Sequence, residues 1–283
     1  MMATVVTRDP AAVAAAVQTA FLASGPDADP SFVPRVFHWT LECFTGRYDP
    51  YHAIDLGYHD LEHTLQGTLC LVRMLQGRQF AGAQPTLNQH FFQLAILAIL
   101  LHDTGYLKLR TDTEGTGAKF TAIHVARSAE FAANLLAQKG YPTGDIQAVQ
   151  NMIRCTGIDA AVTGIPFRSE EERIAGCAVG TADLLGQLAA ADYVDKLPAL
   201  YAEFAEATRD LPPGDHSVPR FDSVEALMQN TPVFWEACVL KKLNTEFGGL
   251  YRFLNQPYPD GPNEYLERIE ANMARIKRQL ADG

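Results

Sequence analysis

An all-α fold is predicted by three observations. Apolar residues recur at helical spacing along most of the 283-residue chain, there is no period-two alternation of any length, and capping or turn residues bound the periodic segments. A single compact multi-helix domain over residues 1–283 is expected. No internal repeat divides the chain, and the Pro-rich break at 211–219 has the same helical texture on both sides, so it reads as a surface loop.

The elements follow in order. "PAAVAAAVQTAFLA" is Ala-rich with few breakers, a strong helix former. "SFVPRVFHWTLECF" carries apolar residues at helical spacing, with Pro34 in the first turn. "TGRYDPYHAIDLGYHD" is turn-rich and predicts a loop, followed by a helix from about Leu61 to Gln76. "TLNQ" at Thr86–Gln89 fits a capping box opening a helix that runs into His102 and Asp103. The polar "RTDTEGTGAKF" predicts a loop placed to act as a lid. "TAIHVARSAEFAANLLAQKG" predicts a helix closed by Gly140, and "TGDIQAVQNMIRC" another. "SEEE" at Ser169–Glu172 is a second capping box, opening "ERIAGCAVGTADLLGQLA". Beyond the break, helices are expected to the end.

Composition narrows the function. A net charge of -10 without a basic tract argues against a nucleic-acid polymer or an anionic lipid surface as partner. The longest apolar run, near Phe91–Leu101, is about half of a membrane span. The first residues lack the basic end and apolar core of a signal peptide, so a cytoplasmic location is expected. Cys43, Cys70, Cys155, Cys177 and Cys238 are scattered without a CxxC, which fits reduced thiols rather than a zinc knuckle or a disulfide framework. A homo-oligomer is compatible with the sequence.

The chemistry concentrates in His and Asp. His59 and His63 stand four apart in "YHDLEH", a spacing that puts both on one helical face. His102 and Asp103 follow the seven apolar residues Ala95–Leu101, which places an imidazole and a carboxylate at the inner end of a core helix. Asp183 lies among Gly180, Ala182, Leu184, Leu185 and Gly186, where a carboxylate needs a cation or several donors; Gln187 is one turn on. Imidazole nitrogen with carboxylate oxygen suits a divalent ion: Mg, Mn, Zn, Fe or Ni. His38, His52, His90 and His216 read as structural or surface residues, and Cys155 as a small buried side chain.

His63, His102–Asp103 and Asp183 follow the H…HD…D order of the HD-domain superfamily of metal-dependent phosphohydrolases, which the sequence resembles from about Tyr58 to Asp183. The opening "YHDLEH" is similar to the YHN-x-x-H motif of the cyclic-nucleotide phosphodiesterase branch, with Asp60 in place of Asn. The resemblance implies a metal-site core over about 58–190, with N-terminal helices within 8–45 and C-terminal helices within 220–281 packed on it. It implies metal ligation by His63, His102, Asp103 and Asp183, with Asp103 central to catalysis and His59 the general acid.

His124 matches a further His of two-metal members, while Cys155 and Thr156 stand where another is expected, so one firm ion is implied and a second is left to Asp103 and His124. Tyr106 replaces a His often found four residues after the HD His, and "TGYLKL" replaces the acidic pair of the (p)ppGpp hydrolases. The expected partner is a small phosphorylated substrate, a cyclic nucleotide or nucleotide-like ester attacked by activated water, with Gln187, Lys108 and Arg127 as substrate contacts and Lys119 and Arg168 as further cations. A di-iron oxygenase of the same superfamily and a non-catalytic nucleotide-binding module are the rival expectations.

Overall fold

The computed structural model describes residues 5–209, 211, 212 and 214–282; the first four residues read for a signal peptide, Asp210, Pro213 of the Pro-rich break and Gly283 lie outside them. The architecture is all-helical, and no strand occurs among the described residues, only an isolated antiparallel bridge between Tyr51 and Leu109. The helices are α1 (Pro10–Leu22), α2 (Phe32–Phe44), α3 (Leu61–Phe80), α4 (Gln89–Leu101), α5 (His124–Gln138), α6 (Thr143–Arg154), α7 (Glu170–Leu188), α8 (Tyr193–Ala207), α9 (Val224–Phe234), α10 (Leu240–Thr245) and α11 (Glu264–Asp282). A π turn, Trp235–Val239, joins α9 to α10. Among the described residues, no single helix is long and apolar enough to cross a membrane.

Local chemistry sets the helix starts. Asp9 caps α1 by accepting from Ala11 N, and Pro10 occupies its first position, where no amide proton is missed. Ser169 caps α7 by accepting from Glu172 N at 3.1 Å, as its sequence predicts. The start of α4 differs from the expectation. Asn88, not Thr86, is the cap, accepting from Phe91 N at 3.1 Å, while the Thr86 hydroxyl turns to Gln84. Asn caps as well as Thr does, and it stands nearer the apolar run. The segment before α5 also differs: Gly117–Ile123 forms 3-10 turns, and α-helix begins at His124.

Three helices form the centre. Leu94 to Lys108 and Ile174 to Gly186 are buried without interruption, the signature of helices enclosed on every side. One apolar cluster runs from Val13 of α1 to Ile276 of α11, so the terminal helices share the core of α3, α4 and α7. The crossing of α3 and α7 is closest at two glycines. A Cβ on Gly186 would lie 2.7 Å from Gly67 Cα, and a Cβ on Gly67 would lie 3.3 Å from Ile99 Cδ1 of α4. Small residues there let the two backbones approach, which brings their side chains one turn away within reach of each other. Beyond α7 the chain bends by 109° into α8.

Replacing Gly186 by Val forces apart backbones that touch. We expect a loss of about 1–3 kcal/mol, typical of overpacking, measured by urea denaturation; unchanged stability would contradict the close crossing.

Candidate metal centre

Each side chain of the centre is delivered by a different piece of local structure. Asp60 caps α3, accepting from His63 N at 2.8 Å, and its other oxygen takes a 2.8 Å bond from Lys196 of α8. His63 thus sits in the first turn of α3, in a fixed rotation about its axis. His102 ends α4, and Asp103 begins the 3-10 turn Thr104–Tyr106. Gly105 in that turn touches α5, where a Cβ would lie 2.0 Å from His124 O, and its amide donates to Ser128 Oγ at 2.8 Å. Asp183 comes from α7, one turn from the Gly186 contact.

Four donor atoms converge. His63 Nε2 lies 3.3 Å from Asp103 Oδ2 and 3.2 Å from Asp183 Oδ1, and His102 Nε2 lies 3.3 Å from each. Donors placed about 2.0–2.2 Å from a shared ion stand about 2.8–3.6 Å apart at right to tetrahedral angles. The separations therefore fit one cation. His63, His102 and Asp103 form a buried group able to hold a metal ion.

The hydrogen bonds point the same way. His102 Nδ1 lies 2.7 Å from Ile99 O, a pure acceptor, so Nδ1 carries the proton and neutral Nε2 presents a lone pair. That lone pair faces carboxylate oxygens, and neither His102 Nε2 nor Asp103 Oδ2 makes a hydrogen bond. Both residues are nearly sealed from solvent, at 2% and 1% exposure. Without a cation or a proton between them, such an arrangement is repulsive. Burial lowers the His102 pKa, but Asp103 and Asp183 outweigh it and raise it to about 9. Burial raises the two carboxyls, and the imidazoles outweigh it, so both lie below their ordinary value.

A second layer orients the first. Tyr58 Oη donates to Gln187 Oε1 at 2.8 Å, and Gln187 Nε2 lies 3.3 Å from Asp183 Oδ1. Gln187, expected at the substrate, is thus bound up in holding a ligand. Glu203 of α8, which the sequence reading passed over, accepts from Tyr58 N at 2.7 Å with one oxygen and meets His59 Nδ1 at 2.6 Å with the other. Its signal lay in α8: Leu197, Leu200, Glu203 and Ala207 are all buried at helical spacing, so a carboxylate interrupts an apolar stripe. Burial lowers the His59 pKa, but the Glu203 hydrogen bond and the nearby Asp103 reverse the shift, so the net change is upward.

His124 lies beside the centre, its ring centroid 6.1 Å from that of His59. Its Nδ1 bonds Thr121 O at 2.6 Å, and burial holds its pKa below the ordinary value, so it stays neutral with Nε2 as acceptor. The expected cations are engaged elsewhere. Arg127 donates to the carbonyls of Gly105 and Leu107 and stacks on Phe120, bracing the turn behind Asp103. Lys108 is buried against Gly115 O, with Asp55 at 3.6 Å. Lys119 bonds Asp112, and Arg168 bonds Glu172. Cys155 is packed on α7, its Sγ directed to Asn151 O at 3.6 Å. The loop after Leu109 is strapped down, with Glu206 of α8 accepting from Thr116 N and Oγ1 at 2.6 and 2.8 Å.

Fold and site together define an all-helical protein with a buried His/Asp group able to hold a metal. The chain belongs to the Npun_R2479-like family, whose model matches residues 108–252, just over half of its length. That match takes in His124, Asp183 and Glu203 and begins after His102 and Asp103. No curated protein matches the chain.

Two outcomes test the centre. Elemental analysis should find about one equivalent of divalent metal, lost in Asp103→Ala; equal content in both would overturn the assignment. The second concerns pH. In the metal-free protein, the raised His102 pKa contributes stability that is complete below 6.5 and lost as pH rises through about 9. The lowered Asp103 and Asp183 pKa values contribute stability above 3.8 that is lost as pH falls. The melting temperature without metal should therefore peak between these limits. Metal replaces the His102 proton, so the gain on adding Mn²⁺ should be larger at pH 8 than at pH 6; a pH-independent gain would contradict the assignment.

Proposed function

We propose that the protein is a metal-dependent phosphohydrolase that cleaves a small phosphoester, cyclic nucleotide or nucleotide-like. The observation that carries this reading is the set of four buried donors at 3.2–3.3 Å, two of them without any hydrogen bond, with an oriented imidazole alongside. Asp183 joins His63, His102 and Asp103 as the fourth ligand. Two imidazoles in the set favour Mn, Fe, Ni or Zn over Mg. A divalent ion there supplies Lewis acidity, polarising a phosphoryl oxygen and making water more acidic.

The rest of the work falls to the chain. His59 holds a proton on Nε2 while Glu203 accepts from Nδ1, so the imidazolium is oriented and stabilised as a general acid. It delivers that proton to the departing alkoxide oxygen, a group too basic to leave unaided. Glu203 fixes the His59 ring and the Tyr58 backbone at once, and Tyr58 reaches Asp183 through Gln187. Acid and ligands are thereby held in one frame. His124 stands next to them as a neutral acceptor and is the residue available to a second, weaker ion.

A panel of cyclic nucleotides, nucleoside monophosphates and simple phosphodiesters, assayed with Mn²⁺, tests this reading. Turnover of one of them is expected. His59→Ala should keep the metal and lose about 10²–10⁴ in rate, the usual worth of general acid help. Glu203→Gln should lose less and move the alkaline limb of the pH–rate profile to lower pH, since a neutral amide stabilises the imidazolium less. Full rate in His59→Ala on a substrate with a poor leaving group would overturn its role. Two equivalents of iron and no hydrolysis would favour an oxygenase instead, and tight nucleotide binding without turnover a binding module.

A further inference from the structure

One buried polar group beside the centre has no part in the mechanism above. Tyr106 closes the 3-10 turn that Asp103 begins, and its side chain is among the largest fully buried ones. Its ring stacks on His124, with centroids 4.7 Å apart and planes at 11°, and meets His59 at 4.8 Å. The Tyr106 hydroxyl is sealed from solvent, yet it has no hydrogen-bond partner. Thr121 is a hydroxyl neighbour of the phenol, and its own proton goes to Ala118 O at 2.6 Å.

Such orphans are uncommon in folded proteins, and each carries a desolvation cost. Five occur among the described residues, and three of them, His102 Nε2, Asp103 Oδ2 and Tyr106 Oη, come from one five-residue stretch. The first two await a cation. The third is a phenol packed against the imidazole that would act as acid. On the hydrolase reading, which this step presupposes, we propose that Tyr106 is a further catalytic residue, whose hydroxyl donates a hydrogen bond to a non-bridging oxygen of the phosphoryl group.

The chemistry suits that role. A phenol keeps its proton near neutral pH, and the Tyr106 hydroxyl makes no hydrogen bond within the protein, so it is open to act as a donor. A neutral donor also differs from the cations first expected at the phosphate: Lys108 and Arg127 are bound to backbone carbonyls, whereas the Tyr106 hydroxyl is unengaged. A donor aimed at a phosphoryl oxygen helps most where charge builds up during attack, and a dry, preorganised position increases its worth.

Tyr106→Phe isolates the hydroxyl, because the stacked ring stays. Three measurements on wild type and variant decide the matter: metal content, turnover with Mn²⁺, and calorimetric affinity of the Mn²⁺-loaded protein for inorganic phosphate. We expect unchanged metal content, a 10- to 100-fold loss in kcat/KM carried mainly by kcat, and weaker phosphate binding. The metal-free variant should also melt higher than wild type, by about 2 °C, since the buried orphan is removed. A hydroxyl with a structural role would shift the melting temperature the other way. Unchanged kcat/KM and phosphate affinity would overturn the proposal, as would loss of metal from the variant. If wild type itself neither turns over the panel nor binds phosphate, the hydrolase reading fails, and the role of Tyr106 falls with it.

Discussion

Two carboxylates and two imidazoles meet in a part of the molecule that water does not reach, and the rest of the architecture makes that meeting possible. Left alone, the lone pair of His102 Nε2 and the oxygens of Asp103 and Asp183 repel each other, and only a positive charge between them reconciles their closeness with their burial. A proton can supply that charge, and the buried His63, His102 and Asp103 group is able to hold a metal ion that would do so. The same two carboxylates that make the place fit for a cation make the His102 imidazole basic when no metal is there. Helix packing acts in concert with it: Gly67 and Gly186 bring α3 against α7, and without that contact His63 and Asp183 would stand too far apart to share one ion.

Much of this was legible in the sequence, for identifiable reasons. The helices follow from periodicity and caps, and Ser169 performs as its residue type predicts. His102–Asp103 and Asp183 are readable because each sits where a polar group is out of place, after seven apolar residues or among small ones, and His63 because it stands four residues after His59. The structure brings all four donors together. Glu203 escaped because an amphipathic helix is expected to carry glutamates, and only the depth of its position in α8 distinguishes it. The cations were misplaced for the opposite reason. Lys108 and Arg127 are near the ligands in sequence, but their donors reach backbone carbonyls within their own neighbourhood. Nearness along the chain says little about where a long flexible side chain ends.

Asp60 illustrates how a departure from a motif can be absorbed. The YHN-x-x-H motif that the sequence resembles has Asn at this place, and Asn and Asp both cap a helix through a side-chain oxygen. Asp60 does so for α3 while its second oxygen takes Lys196, itself flanked by Glu62 and Asp192. The change adds a charge and a counter-charge beside the centre, while the cap that sets the rotation of His63 is kept.

The sharp bend between α7 and α8 has a consequence for how such a protein can diversify. The four converging donors come from α3, from the end of α4 with the turn after it, and from α7, whereas Glu203, which meets His59, comes from α8, on the far side of the bend. The bend does not uncouple them: Lys196 of α8 holds the Asp60 cap of α3, and Glu203 holds Tyr58, which reaches Asp183 through Gln187. A descendant that shifted α8 would therefore alter His59 and the converging donors as one unit.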